Sequence, residues 1–144
     1  MRIVAVDRGD VRTGLAVCDV FETVASPVCV LTEYHPERLA SRVAEEIKKL
    51  SAEMIVVGLP RNMDGSEGES ADKCRALAEE LKNLTGLPVA LYDERLTTVE
   101  AHNILSAADI RGKKRKQTVD AVAAVLILEG YLSSRRQNGG VRSC

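Results

Sequence analysis

Four carboxylates, at Asp7, Asp93, Glu94 and Asp120, stand where an apolar segment of this 144-residue chain stops or begins. Asp7 closes the run RIVAV, Asp93 and Glu94 close LPVALY, and Asp120 is the one charge in TVDAVAAVLIL before Glu129. Burying an ionised carboxylate costs several kcal/mol unless something neutralises it. No basic side chain is evident as partner for each, so a shared divalent cation is the economical neutraliser. All-oxygen ligation selects a hard ion, Mg²⁺ or Mn²⁺, which keeps positions open for water and phosphate. Asp7, Glu94 and Asp120 are thus the candidate catalytic and metal-ligating residues. Asp93 competes with Glu94, because adjacent strand residues face opposite ways. Blander accounts exist: Asp7 starts a turn with Gly9, and Asp120 complements a helix dipole by about 0.3–1 kcal/mol.

Other chemistries find little support. Cys18, Cys29, Cys74 and Cys144 form no C-x-x-C, and His35 and His102 have no Cys or carboxylate at ligand spacing. Zinc, a disulfide framework and a Ser-His-Asp triad are therefore not indicated, and the thiols are expected reduced and mostly buried. The chain reads straight into its first strand without a signal peptide, and no apolar run could span a bilayer, so the expected location is cytoplasmic, with no membrane partner. The net charge of −1 conceals Arg111, Lys113, Lys114, Arg115 and Lys116 in one short stretch, which suits a polyanion. With aromatics at 3%, binding should rest on backbone and shape rather than base stacking.

The elements that must position these groups follow from periodicity. Arg2 to Val6, Thr13 to Val20 and Val24 to Thr32 read as sequential antiparallel strands, the third an edge because Pro27 cannot donate to a ladder. Pro36 opens a helix with Leu39, Val43, Ile47 and Leu50 at helical spacing. Met54 to Leu59 is a buried strand. Gly58 to Gly68 is a strand-to-helix connection rather than a P-loop, since G-x-x-x-x-G-K-[ST] is missing. Ser66 and Glu69 are spaced as a capping box for the next helix, whose apolar face is Cys74, Leu77, Leu81 and Leu84 and whose end is Gly86. Leu87 to Tyr92 is a fifth strand. The alternation of strands and helices adds parallel strands, so the sheet is mixed α/β. Thr97 to Ala108 reads as a short helix, 109–117 as a basic loop, and Thr118 to about Ser134 as a buried last helix. Residues 1–136 are expected as one domain and 137–144 as a flexible tail.

The combination of VDRGD, VVGLPRNMDGSEG, YDERLTT and KKRKQTVDAVAAVLILEGYL resembles the YqgF/RuvX family over roughly residues 2–132. The resemblance implies an RNase H-like fold with a mixed five-stranded sheet of order 3-2-1-4-5, strand 2 antiparallel, and helices on both faces. It implies a metal-dependent nuclease site on Asp7, Glu94 and Asp120, and a role in ribosome biogenesis, maturing the 5′ end of precursor 16S rRNA. Two cations about 3.5–4 Å apart, bridged by Asp7, would activate water and stabilise the leaving 3′ oxygen. Relatives that resolve Holliday junctions carry an acid after the fourth strand, where this chain has Leu59 and Pro60.

Arg8, Arg61, Asn62 and Arg95 sit on loops at the acid edge and are candidates to hold the scissile strand, with Lys113, Lys114, Arg115 and Lys116 on more distant phosphates. For Arg95, pairing with Asp93 competes with that role. The expected partner is nucleic acid, structured RNA or branched DNA, bound by a monomer or weak homodimer. The rival functions are a Holliday junction resolvase, a non-catalytic nucleic-acid-binding module on the same fold, and an actin-like or sugar-kinase ATPase. The last needs two related domains, and the length suits one.

Overall fold

Ile3, Val4, Ala5 and Val6 are all fully buried, on both faces of one strand, so this strand needs cover above and below. The computed structural model, which describes residues 1–62, 64–93 and 122–136, supplies it. The strands are β1 (Ile3–Arg8), β2 (Arg12–Cys18), β3 (Ala25–Thr32), β4 (Met54–Leu59) and β5 (Val89–Asp93). They form a sheet of order β3-β2-β1-β4-β5, with β1 central. β2 is antiparallel to β1 and β3, whereas β1, β4 and β5 are parallel.

One face of the sheet carries Val4, Val6, Leu15, Ile55 and Val57 beneath α1 (Pro36–Lys49) and α2 (Glu69–Thr85). The other carries Ile3, Ala5, Ala16, Cys18 and Val56 beneath Ala124, Ile127, Leu128 and Leu132. Those four lie on α3, helical over the described residues 122–136. The nearly all-apolar last segment is therefore helical and packs into a core, as its composition requires. Its far end is tied down as well: Arg135 donates a fork to Glu22 at 2.9 and 3.2 Å, and Arg136 donates to the Glu22 carbonyl at 3.3 Å. The terminal ammonium of Met1 adds an ion pair to Glu22 at 3.2 Å.

Helix ends follow local chemistry. Pro36 stands at the start of α1, where its missing N–H costs nothing. That helix closes in a Schellman motif, with Ser51 N–H on the Lys48 carbonyl and Ala52 N–H on that of Ile47, which puts Ser51 at φ 55°. Gly86 ends α2 at φ 73°, donating to the Lys82 carbonyl.

Several expectations need correction. β1 does not stop before Asp7: Asp7 and Arg8 continue it, paired with Gly14 and Thr13. The β1–β2 turn is closed by the Gly9 N–H on the Arg12 carbonyl at 2.9 Å, and a Cβ on Gly9 would collide with that same oxygen. The capping box does not form. α2 has Gly68 as N-cap and no side-chain cap, because the Ser66 hydroxyl is engaged by Asp64 and Asn62. Leu84 is 46% exposed; at 3.6 residues per turn the stripe from Cys74 and Leu81 falls on position 85, where Thr85 bonds back to the Leu81 carbonyl. β3 is an edge as expected, with a register shift placing Pro27 opposite Ala16 and Cys29 opposite Leu15. Cys18 and Cys74 are buried and Cys29 is partly so. The expected helix 97–108, the basic loop 109–117 and the tail 137–144 lie outside the described residues.

Candidate active site

Because β1 and β4 run parallel, the loops that leave them emerge at one end of the sheet, the place where open α/β sheets bind ligands. Asp7 stands at that end. Alternation along β1 puts it on the face of Ile3 and Ala5, beneath α3. It is half-buried, and its cross-strand partner on β2 is Gly14. On the other side the last paired rung, Val6 opposite Val57, brings Gly58 to the next position on β4. Gly58 in turn pairs with Tyr92. The row across this face is thus Gly14, Asp7, Gly58, Tyr92, and the carboxylate has a residue without a side chain on either flank. Among the described residues, the neighbouring strands thus set no side chain beside the acid.

Asp93 is the last residue of β5, opposite Leu59. Ala90 and Tyr92 pack on the α3 side and Val89 on the α1/α2 side, so the same alternation sets Asp93 on the face opposite Asp7. Asp7 and the β5 row are separated by two strand spacings, about 10 Å. Glu94, Arg95, Lys113, Lys114, Arg115, Lys116 and Asp120 lie outside the described residues. Among the described residues alone, no group of three His, Cys, Asp or Glu gathers at metal-binding distance.

Arg61 and Asn62 sit on the β4–α2 connection at the same end of the sheet. That loop is braced from within. The Asn62 N–H donates to the Ser66 carbonyl at 2.8 Å, and the Asn62 amide to the Ser66 hydroxyl at 2.9 Å. Asp64 accepts from both the Ser66 N–H and its hydroxyl. Arg75 of α2 donates a fork to Glu67 at 2.8 and 2.8 Å, while the Arg61 Nε approaches Glu67 at 3.5 Å. The Arg75 fork, with the nearby charges of Arg75 and Arg61, holds the Glu67 carboxyl below its usual range. Glu67 is thus committed to Arg75 and touches Arg61 only at long range. Arg8 departs from its expected loop position: as the final residue of β1 it takes the α1/α2 face, behind Asp7 rather than beside it.

A family model described as "Holliday junction resolvase", RuvX, matches residues 1–134. The chain belongs to the RuvX family. Its curated relatives include a protein from Pelotomaculum thermopropionicum, 42% identical across 97% of this chain and 94% of the relative, named "Putative pre-16S rRNA nuclease". A protein of the same name from Halothermothrix orenii is 41% identical over 97% of this chain and 100% of its own length. Among solved structures, RuvC of T. thermophilus in complex with a Holliday junction substrate superposes with TM-score 0.63 at 16% identity, covering 95% of this chain and 96% of that one. The fowlpox virus resolvase with Holliday junction DNA gives 0.60 at 10% identity, over 93% and 98%. The fold of this RuvX chain is therefore RuvC-like, the RNase H-like arrangement its motifs implied. No described helix is long and apolar enough to cross a membrane.

Sequence reasoning missed Gly14 and Gly58 as companions of Asp7, and Glu67 and Arg75 as the brace behind Arg61. The glycines could have been found only from strand register, and the brace only from the fold of the loop.

Proposed function

We propose that this chain is a metal-dependent nuclease that hydrolyses phosphodiester bonds of structured RNA and processes the 5′ end of precursor 16S rRNA in the cytoplasm. The observation that carries the reading is the half-buried Asp7 carboxylate at the ligand-binding end of the sheet, flanked by Gly14 and Gly58. The names of relatives at 41–42% identity supply the substrate. An all-oxygen donor set, with glycines as the sheet neighbours of Asp7, suits Mg²⁺ or Mn²⁺, held by Asp7, Glu94 and Asp120. Such an ion supplies a Lewis acid and a bound, acidified water for in-line displacement at phosphorus. The parity of Asp93 favours Glu94 as the β5 acid that shares the face of Asp7. Arg8, Arg61, Asn62 and Arg95 hold the strand near the cut, and Lys113, Lys114, Arg115 and Lys116 take flanking phosphates.

A second reading, cleavage of branched DNA, is favoured by the family description and the RuvC-like fold. Leu59 and Pro60 at the end of β4, where junction resolvases carry an acid, weigh against it. The test compares precursor rRNA fragments with four-way DNA junctions under Mg²⁺, using wild type and Asp7→Asn. Magnesium-dependent RNA cleavage lost in Asp7→Asn is expected. Tight RNA binding without cleavage by pure wild type would turn the assignment to a binding module, and preferential junction cleavage to a resolvase.

A further inference from the structure

Arg8 lines a cavity of about 190 Å³ on the α1/α2 face, together with Pro36 and Leu39 of α1 and Lys73, Ala76, Leu77 and Glu80 of α2. Its surface is almost wholly apolar, supplied by Pro36, Leu39, Ala76 and Leu77 and by the aliphatic stems of Arg8, Lys73 and Glu80, whose charged ends can reach a ligand seated there. Among the described residues Arg8 makes no ion pair, and Lys73 has only an exposed contact to Glu69 at 3.6 Å. β3 runs parallel to β1, so α1 and α2 both begin at the end of the sheet where Asp7 stands. Neither helix has a side-chain cap, and their first N–H groups add positive potential there.

We propose that this cavity seats one unpaired nucleotide of the substrate strand, neighbouring the nucleotide whose phosphate meets Asp7; the proposal rests on the nuclease reading. Consecutive Cα atoms are about 3.8 Å apart, less than one nucleotide step, so a strand crossing the end of β1 from the Asp7 side comes within reach of Arg8 at the next residue. Arg8 and Lys73 donate to its phosphate, the stronger, charge-assisted kind of hydrogen bond. The base lies against Pro36, Leu39, Ala76 and Leu77. Glu80 has only acceptors to offer, and every base presents it with a donor, an exocyclic amino group or a ring N–H, so the cavity takes all four bases.

The test titrates the full chain, in EDTA, with AMP, CMP, GMP, UMP and inorganic phosphate, followed by NMR. All four nucleotides are expected to shift the methyl resonances of Leu39, Ala76 and Leu77. Phosphate alone should leave those methyls unmoved. Ala76→Leu, at an exposed helix position and without a ring for a base to stack on, should weaken binding about tenfold by filling the space the base would use. The idea is overturned if the three methyls stay still in wild type, if phosphate reproduces the pattern, or if Ala76→Leu, shown folded by circular dichroism, binds as before. RNA cleavage is scored separately. A chain that seats nucleotides here but never cuts RNA refutes the nuclease reading, whereas one that cuts RNA with these methyls unmoved refutes the cavity alone.

Discussion

Gly130 of α3 faces the Tyr92 ring, and a Cβ built there would lie 2.7 Å from Cζ and 3.1 Å from Cε1, closer still to the phenol oxygen. In an open helix, Gly130→Ala would stabilise by about 1 kcal/mol through backbone entropy. Here the ring must move, and overpacking of this kind costs about 1–3 kcal/mol. The net expectation is a loss of about 1 kcal/mol, or about 4 °C in Tm for a chain of this size. The assay is a double-mutant cycle by thermal and urea unfolding. In a Tyr92→Ala background the obstruction is gone, and the same substitution should gain about 1 kcal/mol, a coupling of about 2 kcal/mol. Tyr92 stands in the row of Asp7 and Gly58, so the single variant should also lose more cleavage than its stability explains. A raised Tm for Gly130→Ala in wild type, or strict additivity in the cycle, would refute the reasoning.

The other predictions concern charge and backbone. The Arg135 fork, aided by the terminal ammonium, lowers the Glu22 carboxyl below its usual range. Its contribution is therefore full above the unfolded value, about pH 4.3, and fades as pH falls toward the folded one. Discounted for partial exposure, Glu22→Gln should cost about 0.5–1 kcal/mol at pH 7 and nothing in strong acid; a gap constant down to pH 2 contradicts this. Ser51→Gly relieves the left-handed C′ position of α1 and should stabilise by about 0.5–1 kcal/mol in urea unfolding, while a loss would show that φ 55° carries no strain. Arg75→Ala releases Glu67 to neutralise Arg61. In an Asp7→Asn background, RNA binding should then weaken and the slope of log K against log salt should fall in magnitude by about 0.7–0.9, the share of one phosphate contact, as for Arg61→Ala; an unchanged slope removes Arg61 from the phosphate path.

What could be read from residues alone depended on how much of the cause was local. Met54 to Leu59 is uniformly apolar between the charged Glu53 and the strand-breaking Pro60, and β4 has those bounds. Gly86 carries its conformation with it, so the end of α2 was legible. β1 was expected to stop before Asp7 because its last pairs are made by Gly14 and Thr13, and pairing is a property of two segments. Ser66 failed as a cap because Asp64, two residues away, competes for its hydroxyl. At the site, the candidacy of Asp7 was legible from an acid ending a buried run. Its glycine flanks, and the opposite facing of Asp93, became visible only once strand phase was known.

The order in which the chain is made bears on when the acid edge can work. Ile3, Ala5, Ala16 and Val56 belong to the first 56 residues, yet their cover is drawn from residues 124–132. A nascent chain emerging at about 5–20 residues per second can assemble the sheet and its α1/α2 side while the side bearing Asp7 still meets water. If Asp120 acts as proposed, hydrolytic competence is deferred until the last helix docks, and the Arg135 clasp on Glu22 joins the latest-made part of the core to one of the earliest.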